Sequence, residues 1–184
     1  YEVEGGETAQ GAYLNENELG SIKTIFWAFN IVDFAPFLDT DVTLPDGTEA
    51  SMVGTWYNHY MALPTGETLT TGVQNLRTWW DITEGAWLDE QALADENACM
   101  VGEVLAAREG ISVGDTLTVS TRYGSRDLTV VGVYDAGGDE DEQIFAPMEV
   151  VQALSDTDGF LTSIEVSALT TPDNDLARKA ARLG

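Results

Sequence analysis

Apolar positions along this chain change their period several times, and each change marks an element. Over residues 13–29, Leu14, Ile22, Ile25, Phe26 and Phe29 fall on one side of a helix. Residues 30–38 are apolar but hold Pro36, which predicts a loop or a broken strand. A hairpin follows: residues 41–44, a Pro45-Asp46-Gly47 turn, then residues 48–53. Residues 56–61 are rich in aromatics, Pro64-Thr65-Gly66 is a second turn, and residues 89–97 are polar enough for a helical turn.

The clearest patterning runs from Ala98 to Tyr134. Residues 101–109 carry Val101, Val104, Leu105 and Ala107 at roughly helical spacing. Gly110 stands where a helix ends in the left-handed conformation, which glycine adopts without a Cβ clash. A tight Gly114-Asp115 turn leads into residues 116–121, where Leu117 and Val119 alternate with hydroxyl residues. Tyr123-Gly124-Ser125 turns the chain, and residues 127–134 return as a second strand. Beyond an acidic loop at 135–142 come a short strand at 144–146 and a helix starting at Pro147 and reaching Leu154. Residues 156–159 form a turn, residues 161–168 a strand, and a helix begins near Pro172 and ends at Gly184. The mixture of helices with hairpins predicts an α+β fold.

Composition narrows the function classes. The chain has 184 residues, enough for one domain or two small subdomains. Its 32 acidic residues against 8 basic ones give a formal net charge of −24, which argues against a nucleic-acid or anionic-membrane face. No stretch of about 18 apolar residues exists to span a bilayer. The single cysteine, Cys99, sits in an apolar run and forms no internal disulfide. Of the few cations, Arg178, Lys179 and Arg182 gather on the last helix, to offset its dipole or to lie near lipid headgroups.

Each candidate for chemistry has a plainer reading. Residues 110–114 match G-x-S-x-G, but the nucleophile elbow of hydrolases needs a strand before Ser112 and a helix after it, and here the order is reversed. His59 and Cys99 are the only residues available for a Cys–His dyad, and neither lies in a recognisable catalytic signature. His59 among Trp56, Tyr57 and Tyr60 reads as a packed aromatic. Asp156, Asp158 and Glu165 fit only the later positions of a calcium loop. Trp79, Trp80 and Trp87 alternate with acids as a sugar site would, and also as core aromatics would. No phosphate-binding or dinucleotide glycine motif occurs.

The sequence VGEVLAAREGISVGDTLTV, then LTVVGVYD, then DEQIFAPMEVVQAL resembles the extracytoplasmic core domain of MacB/FtsX-like ABC transporter permeases. The likeness rests on the order helix, Gly-Ile-x-x-Gly-Asp, strand, Val-x-Gly, acidic loop, Ile-Phe-Ala-Pro and helix, and covers about half the chain. It implies a membrane-proximal α/β subdomain from residues 1–95 plus 163–184, with a β-rich subdomain of residues 96–162 inserted. It implies a fragment lying on the extracytoplasmic side of the cell membrane, with both ends leading to membrane helices. It further implies a non-catalytic, cofactor-free domain of a permease dimer, with ATP bound on a separate ABC ATPase subunit and a protein or substrate met outside the membrane. The candidate contact residues are Asp139, Glu140, Asp141 and Glu142, on a loop expected to be mobile and dispensable for folding. The alternatives are an extracytoplasmic module binding a cation, peptide or sugar, or an exported hydrolase.

Overall fold

The structure, a computed structural model, describes residues 14–15, 31–62, 66–92 and 96–168. In chain order the strands are β1 (Leu14–Asn15), β2 (Ile31–Thr43), β3 (Glu49–Thr55), β4 (His59–Ala62), β5 (Thr68–Thr71) and β6 (Asp81–Gly85). They continue as β7 (Ala98–Gly102), β8 (Thr116–Thr121), β9 (Gly124–Asp135), β10 (Gln143–Pro147), β11 (Phe160–Leu161) and β12 (Ser163–Ala168). The helices are α1 (Val73–Leu76), α2 (Glu103–Glu109) and α3 (Met148–Ser155), and a 3-10 turn spans Asp139–Glu142.

Period-two alternation builds the core. In β10, Ile144 and Ala146 enter one apolar cluster and Phe145 enters another. In β7, Cys99 and Val101 join the first cluster, Ala98 and Met100 the second. In β2, Phe34, Leu38 and Val42 face one way, Ala35 and Phe37 the other. The main sheet runs β12-β2-β3-β10-β7-β9-β6, with β10 parallel to β3 and β7 parallel to β9. β8 pairs with β9 along its length and meets β2 at Thr43↔Ser120, so β2-β3-β10-β7-β9-β8 closes on itself. The first cluster is completed by Leu105 and Ala106 of α2 and by Met148, Val150, Val151 and Leu154 of α3. The second is covered by the chain between β5 and β7, through Val73, Trp80 and Leu88. Each large apolar side chain so buried contributes roughly 1.5–3 kcal/mol. The fold is α+β, and strands dominate it.

Three expectations change. Residues 98–102 form a strand, so α2 begins at Glu103 rather than at 101. All five residues of β7 are buried, and a strand covered on both faces loses the alternation that identifies it. Residues 31–43 form one unbroken strand through Pro36. The Phe37 carbonyl accepts from Thr162 N on the β12 side, while both polar backbone atoms of Phe34 meet Thr71 Oγ1 on the opposite side. By alternation the Pro36 nitrogen faces the side that β3 has left beyond Thr55, so no ladder bond is lost. Leu14–Asn15, expected in a helix, pair as a strand with Phe160–Leu161. The segment 96–162 shares the sheet with residues 31–55 through β3–β10 and β2–β8.

The rest of the N-terminal helix, the Pro64-Thr65 turn, the terminal helix with Arg178, Lys179 and Arg182, and both chain ends lie outside the described residues. Other expectations hold. Leu44 N to Thr48 O and Gly47 N to Leu44 O close the β2–β3 turn. Gly110 ends α2 at φ 66°, ψ 36°.

Candidate functional site

The acidic turn joins β9 to β10 against the N-terminal end of α2. Its four carboxylates have different fates. Asp141 is 7% exposed. Its Oδ1 accepts from Ala136 N at 2.6 Å and its Oδ2 from Gly138 N at 3.0 Å, so the side chain shapes its own loop. Glu140 reaches across to α1: Oε1 lies 3.1 Å from Arg77 Nη2, and Oε2 accepts from Trp80 Nε1 at 3.1 Å. Asp139 and Glu142 are exposed, with Glu142 Oε2 3.9 Å from Arg108 Nη1. The expectation of a loose loop is therefore corrected. The Tyr134 hydroxyl also donates into it, at 2.7 Å from Glu140 O and 3.0 Å from Gln143 O. Burial, followed by the nearby Glu140 and Asp141 charges, pushes the Tyr134 phenol well above its ordinary pKa, so it stays a donor.

Arg77 is the residue that sequence reasoning missed. It follows α1, with its N–H on Val73 O at 2.7 Å. Its guanidinium lies 5.6 Å from the Phe37 ring and 5.1 Å from the Trp79 ring. Two parallel bonds join it to Glu165 of β12, and a third reaches Glu140. It thus connects the acidic turn to the strand next to β2. The one available signal was its isolation, since Lys23 is the only cation before it.

The tryptophan stretch packs as core. Trp80 stacks on Tyr134 at 4.2 Å and on Trp87 at 5.7 Å, with Phe145 edge-on at 4.9 Å. Trp80 contacts neighbouring rings on more than one side and offers no open sugar platform. Trp79 differs: it is 58% exposed, beside Arg77.

The nucleophile candidates do not converge. Ser112 follows α2 and precedes β8, and its N–H donates to Asp115 Oδ2 at 2.9 Å. That is a turn closing itself. Cys99 is fully buried on β7, and burial pushes its thiol up to about 12, the opposite of an activated nucleophile. The hydrogen-bonding partner of His59 is Glu90, at 2.8 Å. Asp156 adopts the left-handed conformation, φ 56°, and ends α3. Among the described residues, no group of three or more His, Cys, Asp or Glu is placed to hold a metal ion, and no helix is long and apolar enough to cross a membrane.

The described residues thus present an eight-strand mixed sheet with a clamped acidic turn. The sequence matches the family of MacB-like periplasmic core domains over residues 8–183. The chain belongs to that family. Two solved structures share the fold. The periplasmic region of MacB from Actinobacillus actinomycetemcomitans aligns with TM-score 0.63 at 14% identity, covering 96% of this chain and 77% of that one. The extracellular domain of the noncanonic ABC-type transporter YknZ from Gram-positive bacteria aligns with TM-score 0.62 at 14% identity, covering 95% and 84%. No curated protein matches by sequence. As a MacB-like periplasmic core domain, the chain is an extracytoplasmic domain of an ABC-transporter permease.

Proposed function

We propose that this MacB-like domain is non-catalytic and couples ATP hydrolysis on a separate cytoplasmic subunit to work outside the membrane. The permease dimer carries two copies, and nucleotide-driven closure moves them against a protein or captured substrate. The observation that carries this reading is the family match over nearly the whole chain. The geometry is consistent with it. Arg77 ties the acidic turn to β12, so displacement of one is felt by the other. Asp139 and Glu142 are the outward members of the turn and the proposed contact points, whereas Glu140 and Asp141 hold it in place.

The test uses the full permease reconstituted with its ATPase. Reversing both outward charges, Asp139→Lys with Glu142→Lys, is expected to abolish transport-linked output while ATP hydrolysis and the domain's melting temperature are retained. Output at the unmodified level would remove the turn from the coupling surface. Ester or ATP hydrolysis by the 184-residue chain itself would make it an enzyme and overturn the proposal.

A further inference from the structure

The only histidine of the chain is held in an unusual degree of order. His59 on β4 stacks on Trp56, ring centroids 4.0 Å apart and planes 12° from parallel. Its Nδ1 lies 2.8 Å from Glu90 Oε2, and Glu90 Oε1 accepts the Tyr57 N–H. Asn58 reinforces the link: its Oδ1 accepts from Glu90 N at 2.9 Å and its Nδ2 donates to Asp89 at 2.7 Å. Glu90 accepts from Nδ1, so in the neutral tautomer Nε2 is the acceptor nitrogen. Among the described residues no hydrogen bond to Nε2 is made.

His59 lines a cavity of about 510 Å³ between β4, the residues Glu90, Gln91, Glu96 and Asn97, β9 and the start of α3. Pro147 and Val150 are its buried apolar lining, and the half-exposed Tyr60 ring stands at its edge. Glu96 and Glu149 bring two exposed carboxylates, and Arg126 brings one guanidinium, bonded to Asn97 Oδ1 at 3.1 Å. Acceptors thus outnumber donors, but one strong donor group remains.

We propose that this cleft binds a basic amino-acid residue, free or at the end of a short peptide. The ligand's ammonium or guanidinium meets His59 Nε2 and the Glu96 and Glu149 carboxylates. Its carboxylate or carbonyl meets Arg126, and its methylene stem lies along Tyr60 and Val150. The site is separate from the acidic turn, and it stands or falls independently of the coupling role.

The presence of a single histidine makes the test direct. The ring signals of His59 in the 184-residue chain are followed by NMR while trilysine is added at about 0.15 M salt, where long-range attraction is largely screened. The expected result is a saturable shift of the His59 ring, absent with trialanine. Glu149→Gln and Arg126→Gln are each expected to weaken binding about five-fold or more, roughly 1 kcal/mol, without lowering the melting temperature. Asp158→Asn, at an exposed position outside the cleft lining, is expected to change nothing. No ring shift, an equal shift with trialanine, or binding that falls equally with Asp158→Asn and Glu149→Gln would overturn the proposal. The last outcome would mean diffuse attraction to an acidic chain.

Discussion

Arg77 and Glu165, 88 positions apart, form a two-pronged ion pair, with Nη1–Oε2 and Nη2–Oε1 both at 2.5 Å. The Arg77 side chain is 12% exposed, and its third bond, to Glu140, brings the acidic turn into the same network. Removing it leaves two carboxylates near one another without their cation. Because both are about one-third exposed, solvent offsets part of the loss. Arg77→Ala is expected to cost about 2 kcal/mol in urea unfolding. Arg77→Lys should recover only part of that, since an ammonium cannot make the paired bonds. Equal stability of wild type and Arg77→Ala would mean the network contributes nothing to the fold.

Gly102, the last residue of β7, allows the acidic turn its close approach. A Cβ there would sit 2.2 Å from Asp141 O and 2.4 Å from Asp141 C, both backbone atoms. Neither can move as a side chain would. Gly102→Ala is expected to destabilise by about 3 kcal/mol and to displace the turn. Thermal unfolding checks the first part. An unchanged melting temperature would show that the turn does not rest on β7.

Gly110 is a different case. Nothing lies within 4 Å of a Cβ built there, but φ is 66°. The cost of Gly110→Ala is therefore conformational alone, about 1 kcal/mol, and Gly110→Asn should cost less. Denaturant midpoints of the three proteins measure it. A cost of Gly110→Ala as large as that of Gly102→Ala would point to a clash that the structure does not contain.

The contrast between these two glycines shows what the sequence reveals. Gly110 was legible because its requirement is local: a helix ends, and a left-handed residue must follow. The hairpin around Leu117, Val119, Leu128 and Val130 was legible for the same reason, as strands with distinct faces alternate. β7 was not, because Ala98 to Gly102 are buried on both sides and carry no period. Pro36 was misread because a local rule was applied to a strand whose neighbour ends just there. The acidic turn was taken as loose because its anchors are distant. Arg77 is 63 positions from Glu140, and no spacing rule connects them.

Cys99 provides a pH dependence. Burial raises its thiol to about 12 in the folded protein, against about 8.5 in an unfolded chain. Between those values the unfolded state releases a proton that the folded state keeps. The thiol's contribution is fully present below about pH 8.5 and is lost as pH rises toward 12, by up to about 1.4 kcal/mol per pH unit. Buried Tyr57 and Tyr134, also raised, add the same trend at higher pH. Cys99→Ala is expected to flatten the decline between pH 8.5 and 10. Native-state labelling by a thiol reagent should be slow and limited by unfolding. Rapid labelling at neutral pH would contradict the burial.

The central claim is that this domain moves when nucleotide is bound and hydrolysed elsewhere. It is tested most directly by the distance between the two copies of the domain in the intact permease. Asp158 is exposed beyond α3, and Asp158→Cys carries a spin label without touching the core. Pulsed electron resonance in membranes, with the ATPase subunit present, compares the nucleotide-free and ATP-trapped states. The account predicts two different distance distributions, with the shift reversed once ATP is hydrolysed and released. One unchanged distribution in both states, in a preparation that hydrolyses ATP, would contradict it.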